Sequence, residues 1–362
     1  MDAPGSDILF SKDPLVFTNP KLINIGEYCV RDFQVHTNVP INSQNLAPYE
    51  EDDNIVSCMD VEYNYDMKIT KTGKFLIEFH VPSAFFGSII GSKGVVRRKI
   101  EQDTHTSIKI PRQGEEGDVI ITGGNERDVI RAKSRVDIII WQTRDKHPLT
   151  HFVSVPMVSD MIKHNFDIFK ANLLTGTMIR GLDASMFQNP NKLHLTIATL
   201  VLLDEVEQNQ AVQVLKQCKE EIINPLFTSV EPLRITLRGL EIMNDDPTNV
   251  DVLYGKVSVN PPKYNDCFQK VADGIVNYLA NKGLVRRQYE SVKLHVTLIN
   301  SLFRKTNTDS KQKREPFDST LILEKYKNFH FGEEDLNYIH LSVRFTTSEG
   351  AYYDALTTVS IK

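Results

Sequence analysis

The stretch KLHLTIATL, residues 192–200, alternates in hydrophobicity with a period of two, so Leu193, Leu195 and Ile197 share one face of a strand while His194 and Thr196 share the other. One strand of this kind most simply places a satisfied histidine in the lining of a sheet. The chain, however, repeats the pattern: VKLHVTLI, residues 292–299, sets His295 and Thr297 in the same two-residue relation on the same kind of strand. Each copy follows a helical stretch, DMIKHNFDIFKANLL before the first and CFQKVADGIVNYLANKGL before the second. Two such half-units predict a pseudo-twofold domain that brings both histidines into one cleft. Imidazole titrates near neutrality, so one ring can take a proton while the other gives one, and two hydroxyls can hold phosphate oxygens. That pairing suits phosphodiester chemistry.

Composition bounds the rest. A chain of 362 residues with 41% hydrophobic content has room for about two domains with real cores. A formal net charge of −5 excludes nucleic-acid binding through overall positive charge, so such binding requires a local patch. Cys29, Cys58, Cys218 and Cys267 lack zinc-type or redox-type spacing and read as reduced thiols. The N-terminus has no basic lead-in followed by an apolar core, and no apolar run approaches the roughly 18 to 20 residues of a membrane span. A soluble intracellular protein that does not engage membranes is expected.

Three regions follow. Residues 1–70 are polar, carry the acidic run YEEDDN, and predict a flexible arm with short ordered pieces such as KLINIGEYCV. Residues 71–147 read strand, helix, helix, strand, strand, long helix, and residues 148–362 alternate strands with amphipathic helices, so the class is α+β. In the middle region the strand KFLIEFHVP leads through the short helix SAFFGSII to GSKG, residues 91–94, and then to the helix VVRRKIEQDTH. Gly91 and Gly94 allow close backbone approach to a ligand, Ser92 and Lys93 supply a hydroxyl and a cation, and Arg97 and Arg98 add charge just beyond. The bland alternative is a helix-to-helix turn that needs glycine for geometry alone.

IIGSKGVVRRKIEQDTHTSIKIP followed by DVIITGG resembles a type I KH domain (βααββα), which implies a clamp on single-stranded RNA or single-stranded DNA through Gly91, Ser92, Lys93, Gly94, Arg97 and Arg98. The paired motifs resemble the two-histidine (2H) phosphoesterase superfamily, a two-lobed fold. That resemblance implies His194 and His295 as the acid and base pair and Thr196 and Thr297 as phosphate ligands; chemistry without cofactor or metal is expected from the motifs the chain lacks. The chain lacks HExxH, EF-hand and Walker-type phosphate-loop patterns. The combination of the two modules further resembles a nuclear subunit of a transcription coactivator complex, which implies other complex subunits, a helicase among them, as partners and a link to alkylation-damage response. Two functions compete: an RNA or cyclic phosphodiesterase, and a non-catalytic RNA-binding or scaffold subunit that uses the phosphoesterase fold as a surface. His340 reads as structural or supporting, since Ser342 rather than threonine follows it. Tyr254 reads as a packed strand tyrosine, and KQKR, residues 311–314, as a solvated loop.

Overall fold

A computed structural model describes the backbone of residues 22–25 and 28–31, and residues 66–112, 115, 117–227, 233–286, 290–304, 314–349 and 351–361. The acidic run at 49–54 and residues 305–313 of the basic insertion lie outside the described residues. Within KLINIGEYCV, β1 (Leu22–Ile25) pairs antiparallel with β2 (Tyr28–Arg31). This hairpin belongs to a first unit, Met1–Tyr63, and everything below to a second, Asn64–Lys362.

The KH domain contains β3 (Lys68–Ile69), β4 (Phe75–Phe79), α1 (Phe86–Ile90), α2 (Val95–Thr104), β5 (Thr106–Lys109), β6 (Val119–Gly123) and α3 (Glu126–Arg144). The predicted order βααββα stands, with short β3 added as an edge of the antiparallel sheet β3-β4-β6-β5. Ile77, Ile108, Val119 and Ile121 on the strands bury themselves against Phe85, Ile89, Ile100, Val129 and Val136 on the helical side. Asn125 caps α3 by accepting the Arg127 amide at 3.1 Å, and Glu126 and Asp128 place negative charge in its first turn, as the helix dipole favours.

α3 ends at Arg144 and the second domain opens with β7 (His151–Pro156). There follow α4 (Asp160–Thr175), β8 (His194–Leu200), α5 (Glu205–Cys218), β9 (Arg234–Ile242), β10 (Val252–Asn260), α6 (Asn265–Asn281), β11 (His295–Asn300), α7 (Thr320–Tyr326), β12 (His330–Asp335), β13 (Tyr338–Val343) and β14 (Ala355–Ser360). The strands form one antiparallel sheet in the order β12-β9-β10-β11-β8-β7-β13-β14. The two motif strands are the central pair, with three strands outside each, so the pseudo-twofold expectation is realised as two four-stranded lobes. Leu195, Ile197, Val296 and Leu298 share one core with Phe166 and Phe169 of α4 and Phe268, Val271 and Ile275 of α6. Side-chain alternation therefore turns His194, Thr196, His295 and Thr297 to the other face. No helix among the described residues is long and apolar enough to cross a membrane.

A buried ion pair fastens the two domains. The Arg144 guanidinium donates to both carboxylate oxygens of Glu207 and to the Val201 carbonyl, with the side chains 8% and 6% exposed. It also lies 4.9 Å from the Phe85 ring and 5.5 Å from that of Trp141. His80 meets Asp204, the N-cap of α5, at 2.8 Å, and Leu203 packs against the KH core. Removing one member of a buried pair leaves an uncompensated charge, which costs about 3 to 5 kcal/mol. Glu207→Ala is accordingly expected to lower stability by that amount in denaturant unfolding and to speed proteolysis between residues 145 and 150.

Candidate functional site

One register decides the geometry. β8 and β11 share the pair Leu195 opposite Val296, and antiparallel continuation from it sets His194 against Thr297 and Thr196 against His295. The four side chains form a square on one face, each histidine diagonal to the other. Each motif is then followed by a bulge: Ile197 is the extra residue between Thr196 and Ala198 against β7, and Leu298 the extra residue between Thr297 and Ile299 against β10. A bulge bends its strand and raises local twist, so the central strands diverge beyond their one shared pair. Among the described residues no hydrogen bond engages either threonine hydroxyl.

The histidines are oriented by the same device. His194 Nδ1 lies 2.7 Å from the Lys192 carbonyl and His295 Nδ1 lies 2.6 Å from the Lys293 carbonyl. A carbonyl only accepts, so each Nδ1 carries the proton and each Nε2 is left for the cleft. Burial lowers both imidazoles below the ordinary histidine range, partly opposed by those carbonyl bonds. A charge on His295 lowers His194 further, and the Lys293 ammonium lowers His295. Mutual repulsion makes the pair take up one proton before two, which is the state acid–base catalysis requires.

The sequence reading missed the lysines, although both motifs begin with Lys-Leu-His. Lys293 Nζ sits 4.9 Å over the Tyr254 ring, and Tyr254 lies edge-on to His295 at 5.0 Å. Lys192 Nζ sits 4.7 Å over the Tyr353 ring, and Tyr353 lies edge-on to His194 at 5.7 Å. Phe152 closes the His194 side at 4.8 Å. Tyr254 is a packed strand tyrosine as expected, 2% exposed, but it is packed on the second histidine. His340 stands opposite Ser154, which stands opposite Thr196, so it is two strands from the square and outside it.

Where β8 and the segment leading into β11 diverge, they open a wedge of about 780 Å³. Thr196 and His295 lie at one end, Lys293 on a wall, and Trp141 and His147 from the end of the KH domain at the other. Asp273 on α6 anchors that wall by accepting the Val292 amide at 2.7 Å and the Ser291 hydroxyl at 3.1 Å. Among the described residues there is no group of His, Cys, Asp and Glu that could hold a metal ion.

The second candidate site is the loop between α1 and α2. Gly91, Lys93 and Gly94 have φ of 69°, 50° and 75°, and Ser92–Gly94 forms one tight turn. A Cβ at Gly91 would meet Val96 Cγ2 at 2.3 Å, whereas one at Gly94 meets nothing. Glycine at 91 is therefore required by packing as well as by conformation. Arg98 donates to the Lys93 carbonyl at 2.7 Å and holds the turn, and Arg97 approaches Glu101 at 3.6 Å. Lys93 and Ser92 are exposed at the tip.

Two expectations follow. Because both histidines are depressed, the singly protonated pair of the free protein is most populated below the ordinary value of about 6.5, and a phosphodiesterase pH–rate profile in kcat/KM should be bell-shaped with its maximum there. Lys93→Asp, tolerated at positive φ, should weaken single-stranded RNA binding about tenfold by anisotropy and flatten its salt dependence.

Comparison with known proteins agrees with this architecture. Residues 149–361 match the AKAP7 2′5′ RNA ligase-like domain and residues 76–137 the KH domain. The chain is 36% identical over 334 residues to mouse activating signal cointegrator 1 complex subunit 1, covering 87% of this chain and 92% of that protein. It is 28% identical over 166 residues to an RNA 2′,3′-cyclic phosphodiesterase of Aquifex aeolicus, covering 45% of this chain and 75% of the relative. E. coli LigT complexed with 3′-AMP aligns at 12% identity with a TM-score of 0.35, over 59% of this chain and 98% of LigT. The chain belongs to the activating signal cointegrator 1 complex subunit 1 family, in which a KH domain precedes a two-histidine phosphoesterase domain.

Proposed function

We propose that the chain is a metal-independent phosphodiesterase acting on RNA or on 2′,3′-cyclic phosphate ends, with the KH domain holding the strand. The observation that carries this reading is the square of His194, Thr196, His295 and Thr297, with both Nε2 atoms left available by the carbonyl bonds at Nδ1. The name of the Aquifex relative supports the same substrate class. In opening a cyclic phosphate, the neutral histidine takes a proton from water through Nε2 as the water oxygen bonds to phosphorus. The protonated histidine gives its proton to the departing ribose oxygen as that P–O bond breaks. The threonine hydroxyls donate to the non-bridging oxygens as charge builds on them. The direction of the reaction decides which histidine is acid and which is base. We further propose that the chain acts in the nucleus, within the activating signal cointegrator complex beside a helicase, in transcription coactivation and alkylation-damage response; the name of the mouse relative supports the complex alone.

The test is turnover of labelled RNA and cyclic-phosphate substrates. His194→Ala or His295→Ala should each cost a factor of about 10² to 10⁴, and activity should survive a chelator. Wild-type rates in either folded variant, or loss on chelation restored by a divalent ion, would sink the mechanism. A wild-type chain inactive on every substrate makes the domain an RNA-binding or scaffold surface instead.

A further inference from the structure

We propose that Lys293 and the buried hydroxyl of Tyr254 form a second anion subsite beside His295, which takes the phosphate neighbouring the scissile one. The cleft would then select polynucleotide ends over mononucleotides. This inference rests on the phosphodiesterase reading and names its substrate class.

Three observations carry it. First, Tyr254 is 2% exposed, and its hydroxyl makes no hydrogen bond of ordinary length, only longer polar approaches to the Lys293 ammonium and the Glu241 carboxylate. A buried hydroxyl so weakly paired costs free energy that a bound acceptor recovers, and burial also raises the phenol's pKa, so it remains a donor. Second, the Lys293 ammonium lies 4.9 Å over the same ring, whose centroid is 5.0 Å from the His295 ring. Lys293 is exposed on the wall of the wedge that His295 and Thr196 also line. A hydroxyl donor and a cation thus converge one side chain away from the reacting position.

Third, the other half of the pseudo-twofold site does not offer the same opening. Lys192 has the equivalent place in the first motif, but its ammonium donates to the Thr346 carbonyl at 2.9 Å and to the Thr347 hydroxyl at 2.8 Å. The two lysines match in sequence and differ in what they hold. The neighbouring phosphate therefore falls on the His295 side. Glu241, opposite Tyr254 on β9, and Asp245 in the following loop bring negative charge to Lys293.

The experiment compares wild type, Lys293→Met, Tyr254→Phe and Lys192→Met in the full chain, so that binding at the KH loop is common to all. The substrates are adenosine 2′,3′-cyclic monophosphate and a short oligoadenylate ending in a 2′,3′-cyclic phosphate. The ratio of kcat/KM for the oligomer to that for the mononucleotide should fall about tenfold in Lys293→Met. It should fall less in Tyr254→Phe and stay unchanged in Lys192→Met. The limb of the pH profile that reports His295 should move to higher pH in Lys293→Met, because the cation that depresses it is gone. An unchanged ratio in Lys293→Met, or an equal fall in Lys192→Met, overturns the subsite while leaving the phosphodiesterase reading intact. Calorimetry with an oligoadenylate ending in a 3′-phosphate separates the two claims. Binding weakened by Lys293→Met without turnover of either cyclic phosphate sinks the enzyme and keeps the subsite, and binding indifferent to Lys293 sinks the subsite.

Discussion

The bridge between Leu195 and Val296 is a single residue pair, and the chemistry of the molecule hangs on it. Because side chains in a strand have a period of two, this register presents all four motif side chains to one face and crosses each histidine with the other motif's threonine. A slip of one residue would send one motif into the apolar core and bring the leucines and valine out. The core resists that slip: Leu195, Val296 and Leu298 are fully buried against the aromatic rings of α4 and α6. The apolar face therefore fixes the position of the polar one, and site geometry is a by-product of packing.

The two bulges explain why so central a strand pair is so short. Each inserts its extra residue directly after the threonine, in one case against β7 and in the other against β10. The bend at Ile197 turns β8 away from the segment before β11 and leaves a wedge where an ordinary sheet would have continued its ladder. Access to His295 along the plane of the sheet is thus built from backbone geometry, with Asp273 holding one wall in place. Desolvation lowers both imidazoles, and their mutual repulsion separates the two protonation steps.

The KH domain meets this sheet through Arg144, the last residue of its last helix, which is buried with Glu207 at the first turn of α5. An ion pair at such a depth contributes orientation more surely than net stability, since desolving both charges offsets much of their attraction. Its two-point geometry, the Val201 carbonyl and the flanking Phe85 and Trp141 rings leave the guanidinium one plane to occupy. The end of α3 is held at the mouth of the wedge as a result.

What the sequence determined by itself was local. The alternation in KLHLT and KLHVT put each histidine and its threonine on one face, and the order of elements around GSKG identified the KH domain. Both follow from periodicity and from the conformations glycine permits, which act over a few residues. Which strands pair, and in what register, was decided only in three dimensions. So was the partner of each motif lysine: Tyr254 comes from a neighbouring strand, while Tyr353 comes from the loop before β14. The sequence shows two like motifs. The tertiary structure makes them unlike, tying the Lys192 ammonium to Thr346 and Thr347 and setting that of Lys293 beside the Tyr254 hydroxyl. Arg97 and Arg98 show the same limit, since their charge is legible in the chain but its engagement by Glu101 and by the Lys93 carbonyl is not. Periodicity assigns a face, whereas pairing between distant segments is settled by which apolar surfaces can be buried together.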